Sequence, residues 1–180
     1  AKKLLEESGW TDTDGDGYVD KDGEKLSINW LTYPTRLEQP KLAEYAQSTL
    51  KDIGIDVQVN NTSDHMTIAK SGDFDVYVSS TTTAPTGDPE YFFTSTVTGA
   101  KNYGNYQNEE VTKLTDQLHQ TFDKDERAKL AVELQQDILD DDAFFFVSHL
   151  NMGIVTKSNV KGMAAHPCDY YEITAELDVE

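Results

Sequence analysis

An α/β fold is predicted by three observations. Residues 26–31 alternate, with Leu26, Ile28 and Trp30 on one face and Ser27, Asn29 and Leu31 on the other, the period-two pattern of a half-buried strand. Leu42, Ala46, Leu50 and Ile53 then recur at helical spacing until Gly54, where the helix is expected to stop. Ile55, Val57 and Val59 alternate again at once. Strand, helix and strand make a βαβ unit, hence a parallel pair joined by a right-handed crossover.

The remaining elements follow in order. Residues 1–8 read as a helix stopped by Gly9, and residues 11–23, dense in Asp and Gly, read as a hairpin-like loop. Past the βαβ unit, residues 64–70 suit a short helix and residues 74–78 a third strand, giving βαβαβ. Residues 79–106 are rich in Thr, Ser, Gly and Pro, with a helical turn only at 90–93; a loop of this length in a compact domain is usually functional or poorly ordered. Asn108 caps a helix bearing Val111, Leu114 and Leu118. Asp123 with Glu126 makes a capping-box-like start to a second helix bearing Leu130, Leu134 and Ile138. The runs 144–147 and 153–155 are short and apolar, suited to buried strands.

At 180 residues the chain is expected to form one domain over 1–180 and to bury a sizeable core. Its 37% hydrophobic content and full set of aromatics are those of a globular protein. With 15 Lys plus Arg against 33 Asp plus Glu the net charge is −18, which argues against nucleic acid, because phosphate binding needs a clustered basic footprint. An anionic membrane surface is disfavoured for the same reason. No apolar run approaches the roughly 20 residues that span a bilayer. The single Cys168 makes no internal disulfide and fits both the cytoplasm and bacterial extracellular proteins that lack bridges.

The strongest local pattern is Asp12-x-Asp14-x-Asp16-Gly17, the opening of an EF-hand calcium loop. The match then fails: the twelfth position, a bidentate Glu in that loop, is Gly23, and a strand follows where a helix is required. Calcium at Asp12, Asp14 and Asp16 is therefore disfavoured against a solvated Asp/Gly turn. The four histidines, His65, His119, His149 and His166, show no zinc spacing. Only His166 lies in irregular chain, Ala165-His166-Pro167-Cys168, where an imidazole can face a cleft. No nucleophile elbow, phosphate loop or His-Glu-x-x-His is present, so an enzyme is not expected.

Several landmarks occur in a familiar order: Leu4-Leu5-x-x-x-Gly9-Trp10, Asp20-Lys21-Asp22-Gly23, Leu50-Lys51-x-Ile53-Gly54-Ile55-x-Val57, Gly72-x-Phe74-Asp75, Asp88-Pro89-x-x-Phe92 and Glu126-Arg127-x-x-Leu130. Together they resemble the extracellular solute-binding proteins of peptide and nickel ABC transporters, through essentially the whole chain. The resemblance implies one α/β lobe of a type II periplasmic-binding-protein-like fold, a mixed sheet with flanking helices. It also implies that the chain is most of the second lobe of a two-lobed receptor, with the signal segment, the lipid anchor and the other lobe lying outside it. On this basis the protein is expected to be monomeric and extracellular, a cell-surface lipoprotein or periplasmic, and to deliver its ligand to an ABC permease. The Asp12 to Gly23 loop becomes a plain hairpin, as in relatives.

The same resemblance bears on the ligand. In peptide binders of this family an aspartate shortly before the Asp-Pro pair holds the peptide amino terminus; in this chain that position is Pro85. Residues 83–89, Thr-Ala-Pro-Thr-Gly-Asp-Pro, instead resemble the Ala-Pro-x-Asp-Pro loop of nickel binders with one residue added. The loop that carries a nickel-contacting histidine in those proteins reads Ala100-Lys101-Asn102-Tyr103, so His166 becomes the candidate metal ligand, imidazole being suited to borderline metals. Tyr33 and Arg36 at the exit of the first strand, with Pro85, Thr86, Lys101 and Asn102, are the candidate ligand-binding residues, Arg36 and Lys101 for chelator carboxylates. The expected cargo is nickel or a metal chelate, with no resident cofactor. An oligopeptide or dipeptide receptor is the first alternative, and a calcium-dependent extracellular domain the second.

Overall fold

Strand β3 (Ser27–Thr32) lies between β4 (Asp56–Asn61) and the short β5 (Val76–Tyr77), and both neighbours run parallel to it. The register is continuous from Ser27 opposite Asp56 to Thr32 opposite Asn61. Helix α2 (Glu38–Lys51) makes the crossover between β3 and β4, and α3 (His65–Ser71) the one between β4 and β5. This is the predicted βαβαβ unit.

The computed structural model describes residues 1–82, 84–151, 153–165 and 173–180. They divide into two compact units, Ala1–Ser80 and Thr81–Glu180. The first holds α1 (Lys2–Glu7), the β1–β2 hairpin (Asp20–Lys21 with Glu24–Lys25) and the parallel sheet. Its core comprises Leu31, Ala43, Ile55, Val57, Ala69 and Val78. The half-buried pattern expected of β3 fails at its carboxyl end, where consecutive Leu31 and Thr32 are both fully buried. Successive strand residues face opposite sides, so both sides are covered there, as βαβ crossovers require. Gly54 is needed at its position: its φ is +84°, and a Cβ would stand 2.9 Å from Val19 Cγ1, next to the hydrogen bond from Val19 N to Gly54 O.

The second unit is built on the antiparallel pair α5 (Glu109–Gln120) and α6 (Lys124–Asp140). Asn108 accepts from the amides of Glu110 and Val111, and Asp123 from those of Asp125 and Glu126, so both predicted caps form. Val111, Leu114, Leu118, Leu130, Ala131, Leu134 and Ile138 make one buried cluster with Phe93 and Val97. Those last two come from the π-type turn Phe93–Val97, which continues α4 (Glu90–Phe92). The helical turn expected at 90–93 is therefore longer, because Phe93 and Val97, four residues apart, both reach the core.

The strands expected at 144–147 and 153–155 do not form. Phe145 is 88% and Val155 96% exposed, and no strand lies beside either run among the described residues; without a neighbour to pair with, an apolar run has no ladder. Phe144 turns inward against Phe92 and Tyr106, with ring centroids 5.9 and 6.3 Å away, and the half-exposed Phe146 packs on Phe92 at 5.8 Å. A small antiparallel pair, β6 (Val160–Lys161) with β7 (Asp178–Val179), completes the fold.

Candidate functional site

The candidate residues fall in both units. In the first, Tyr33 follows β3 directly and is 8% exposed. Its ring stacks on the His65 imidazole at 4.1 Å and 18°, and its hydroxyl accepts from the Ser80 amide at 3.3 Å. His65 Nδ1 and Tyr77 Oη are 2.8 Å apart, and the Tyr77 ring lies 6.5 Å from that of Tyr33. An aromatic and imidazole cluster thus stands beyond the carboxyl ends of β3 and β5, where open α/β sheets bind ligands. Sequence reasoning placed Tyr33 here but missed His65 and Tyr77. The available signal was their position at strand and helix termini flanking the same sheet end. Arg36 is exposed in the turn between β3 and α2.

The same sheet end carries buried polar atoms. Trp30 Nε1, Thr32 Oγ1, Glu38 Oε1 and Gln39 Oε1 have no hydrogen-bond partner among the described residues. Each such group costs about 1–3 kcal/mol when left unsatisfied.

In the second unit, Pro85 and Thr86 occupy a turn closed by a 3.0 Å hydrogen bond from Gly87 N to Ala84 O, with Gly87 at φ +80°. Asp88 ends this turn and is gripped by Arg127 from α6: Nε donates to Oδ2 at 2.9 Å and Nη2 to Oδ1 at 2.7 Å. Arg127 Nη2 also donates to Glu90 Oε2 at 2.7 Å, and Nη1 to the carbonyls of Leu118 and Thr121, each at 2.6 Å. The other Glu90 oxygen meets His119 Nδ1 at 2.5 Å. The guanidinium holds the Asp88 carboxyl below its ordinary range and, with His119, does the same to Glu90; the two carboxylates in turn raise the Arg127 pKa. Arg127 is legible in sequence only as part of the Glu126-Arg127 landmark.

Lys101 Nζ donates to Tyr91 Oη at 3.0 Å and stands 5.3 Å from that ring's centre. Asn102 spends its amide on the backbone: Nδ2 donates to Tyr106 O at 2.8 Å, and Oδ1 accepts from Tyr106 N at 3.0 Å. It therefore shapes the 102–106 turn. Tyr106 donates to Asp141 at 2.5 Å, and burial, aided by that carboxylate, pushes the phenol up to about 12. His166 lies outside the described residues.

In the acidic hairpin the carboxylates brought together are Asp12, Asp14 and Asp20, within 4.8 Å of one another. Asp16, named in the sequence motif, is instead bound by Lys25 Nζ at 2.6 Å. Asp12 accepts from the amides of Gly15 and Gly17, and Asp20 from Thr13 N and Oγ1. The loop satisfies its carboxylates internally.

Comparison with known proteins places this geometry. The fold is that of the periplasmic binding proteins: 78% of the chain superposes on 30% of the nickel ABC transporter protein of Bacillus halodurans, with a TM-score of 0.66 and 33% identity. Residues 1–104 match the model described as bacterial extracellular solute-binding proteins, family 5 Middle, and the chain belongs to that family. The oligopeptide-binding protein AppA of Bacillus subtilis is 30% identical over 179 residues, 96% of this chain and 33% of its own length. The nickel-binding protein NikA of Staphylococcus aureus is 29% identical over 168 residues, 92% of this chain and 34% of its own length. The chain thus spans about a third of the length of these curated relatives. They are binding proteins rather than enzymes. No helix among the described residues is long and apolar enough to cross a membrane.

Proposed function

We propose that this chain carries part of the ligand-binding surface of the substrate-binding component of an ABC importer, and that the cargo is nickel or a metal chelate. One observation carries the choice of cargo. A peptide ammonium needs a carboxylate to receive it, and the two carboxylates beside the 84–87 turn, Asp88 and Glu90, are both held by Arg127. With Pro85 at the anchor position, this turn offers an incoming amine no uncommitted side-chain carboxylate. Arg36 is left to meet chelator carboxylates, and Lys101, though it leans on Tyr91, carries the right charge to do the same. Tyr33 in the first unit, and Pro85 and Thr86 in the second, are each assigned to ligand binding. His166 is assigned as the metal-contacting imidazole, a neutral nitrogen ligand suited to Ni²⁺. Delivery to a membrane permease and residence outside the cell, as a lipoprotein or free in the periplasm, follow from the same reading.

The match to AppA over nearly the whole chain favours a second reading, an oligopeptide receptor. Isothermal titration separates them, using the longest natural polypeptide that carries this sequence. The nickel(II)–L-histidine complex should bind and be weakened by His166→Ala, while a mixed peptide pool should bind at least tenfold less tightly, about 1.4 kcal/mol. Tight binding of the pool with none of the nickel complex overturns the proposal and leaves the peptide receptor. The 180-residue chain alone should show no sub-micromolar binding of either.

A further inference from the structure

Arg127 spends all five of its N–H groups within the protein, on Asp88 twice, on Glu90, and on the carbonyls of Leu118 and Thr121. Its side chain is only 15% exposed. The planar fork therefore joins the end of α5, the α5–α6 connection and the segment that follows the 84–87 turn. Among the described residues, the backbone inside that turn makes a single bond, Gly87 N to Ala84 O. The next fixed point is Asp88, whose Oδ1 also accepts from the Glu90 amide at 2.9 Å. Among the described residues, the carboxylate that follows the turn is held by one guanidinium and by the Glu90 amide. Lysine, with a compact ammonium and no fork, does not reproduce this set of contacts.

We propose that Arg127 is a positioning residue for ligand capture: by holding Asp88 it keeps the 84–87 turn in its binding shape, without touching ligand. This rests on the reading that the turn lines the ligand site. A turn that is correctly shaped only part of the time lowers apparent affinity in proportion to the competent fraction. The loss then falls mainly on association.

Two measurements test this. The first is hydrogen exchange on the 180-residue chain. Arg127→Lys should speed exchange of the Gly87 and Glu90 amides by about tenfold while the α5 and α6 amides keep their rates, the pattern of a local opening. The second is binding kinetics of nickel(II)–L-histidine to the longest natural polypeptide. Arg127→Lys and Asp88→Asn should each reduce affinity by about tenfold, chiefly through slower association, and the double variant should lose no more than either, as expected of residues acting as one unit. Ile138→Ala, a core change, should lower the melting temperature yet leave both readouts unmoved. Unchanged Gly87 exchange in Arg127→Lys, equal acceleration throughout α5 and α6, or additive affinity losses each overturn the proposal. If the nickel complex does not bind but the peptide pool does, the cargo reading fails while the pool, used as probe in the same variants, still decides the role of Arg127.

Discussion

Asp88 and Glu90 show how a single cation sets the acid response of its neighbours. Their ordinary values are 3.8 and 4.5, and both are lowered in the folded chain by the Arg127 hydrogen bonds. A group with a lowered folded pKa stabilises the fold fully above its unfolded value and loses that contribution as the pH falls through the folded one. The double variant Asp88→Asn with Glu90→Gln should therefore melt below the parent at neutral pH. The gap should begin to narrow as the pH falls to those ordinary values and close only as it passes the lowered folded ones. A gap that stays constant down to acid pH would show that the pair contributes nothing through its charge. Thr32 is the opposite case, a buried hydroxyl without a partner among the described residues. Thr32→Val keeps the shape and removes the orphan, so calorimetry should find it neutral or stabilising by up to about 1–2 kcal/mol. Destabilisation of that size would mean that the hydroxyl is satisfied in solution.

At the scale of elements, the helix pair α5–α6 separates two kinds of contribution. Asn108→Ala and Asp123→Ala each remove a cap and should cost about 0.5–2 kcal/mol. Leu134→Ala opens a fully buried site and should cost about 2–5 kcal/mol. Denaturant titration that ranked a cap above Leu134 would contradict the core described for this unit. These elements were readable because their signals are local: a capping side chain and the amides it serves lie within three residues, and helical periodicity repeats every turn. The Arg127 network was not, since its acceptors Asp88 and Glu90 lie 39 and 37 residues away and an arginine on a helix reads as a solvated face. The stack of Tyr33 on His65 depends in the same way on a sheet closing around it. The runs at 144–147 and 153–155 misled for a related reason. A strand is a property of two chains side by side, and apolar composition supplies only one of them.

For the whole molecule, composition and motif order carried different information. The acidic balance argued against nucleic acid but gave no hint of cargo. The ordered landmarks pointed to the solute-binding proteins, and the family match over residues 1–104 agrees with them. The site was less legible than the fold: the amide of Asn102, singled out by position, also closes the 102–106 turn, and His65 and Tyr77 beside Tyr33 carried no motif at all.

The bare apolar stretch after α6 has a colloidal consequence. Phe145, Phe146, Val147, Leu150, Ile154 and Val155 are all substantially exposed, a combination of greasy side chains and backbone in no sheet among the described residues that invites molecules to zip together. Mutual repulsion from the −18 charge opposes this near neutrality, and it vanishes at the sequence pI of about 4.4. Turbidity of the 180-residue chain should accordingly rise sharply near that pH and fall when Phe145→Lys and Val155→Lys are introduced. The acidity that revealed nothing about the ligand then acts as the chain's protection against itself.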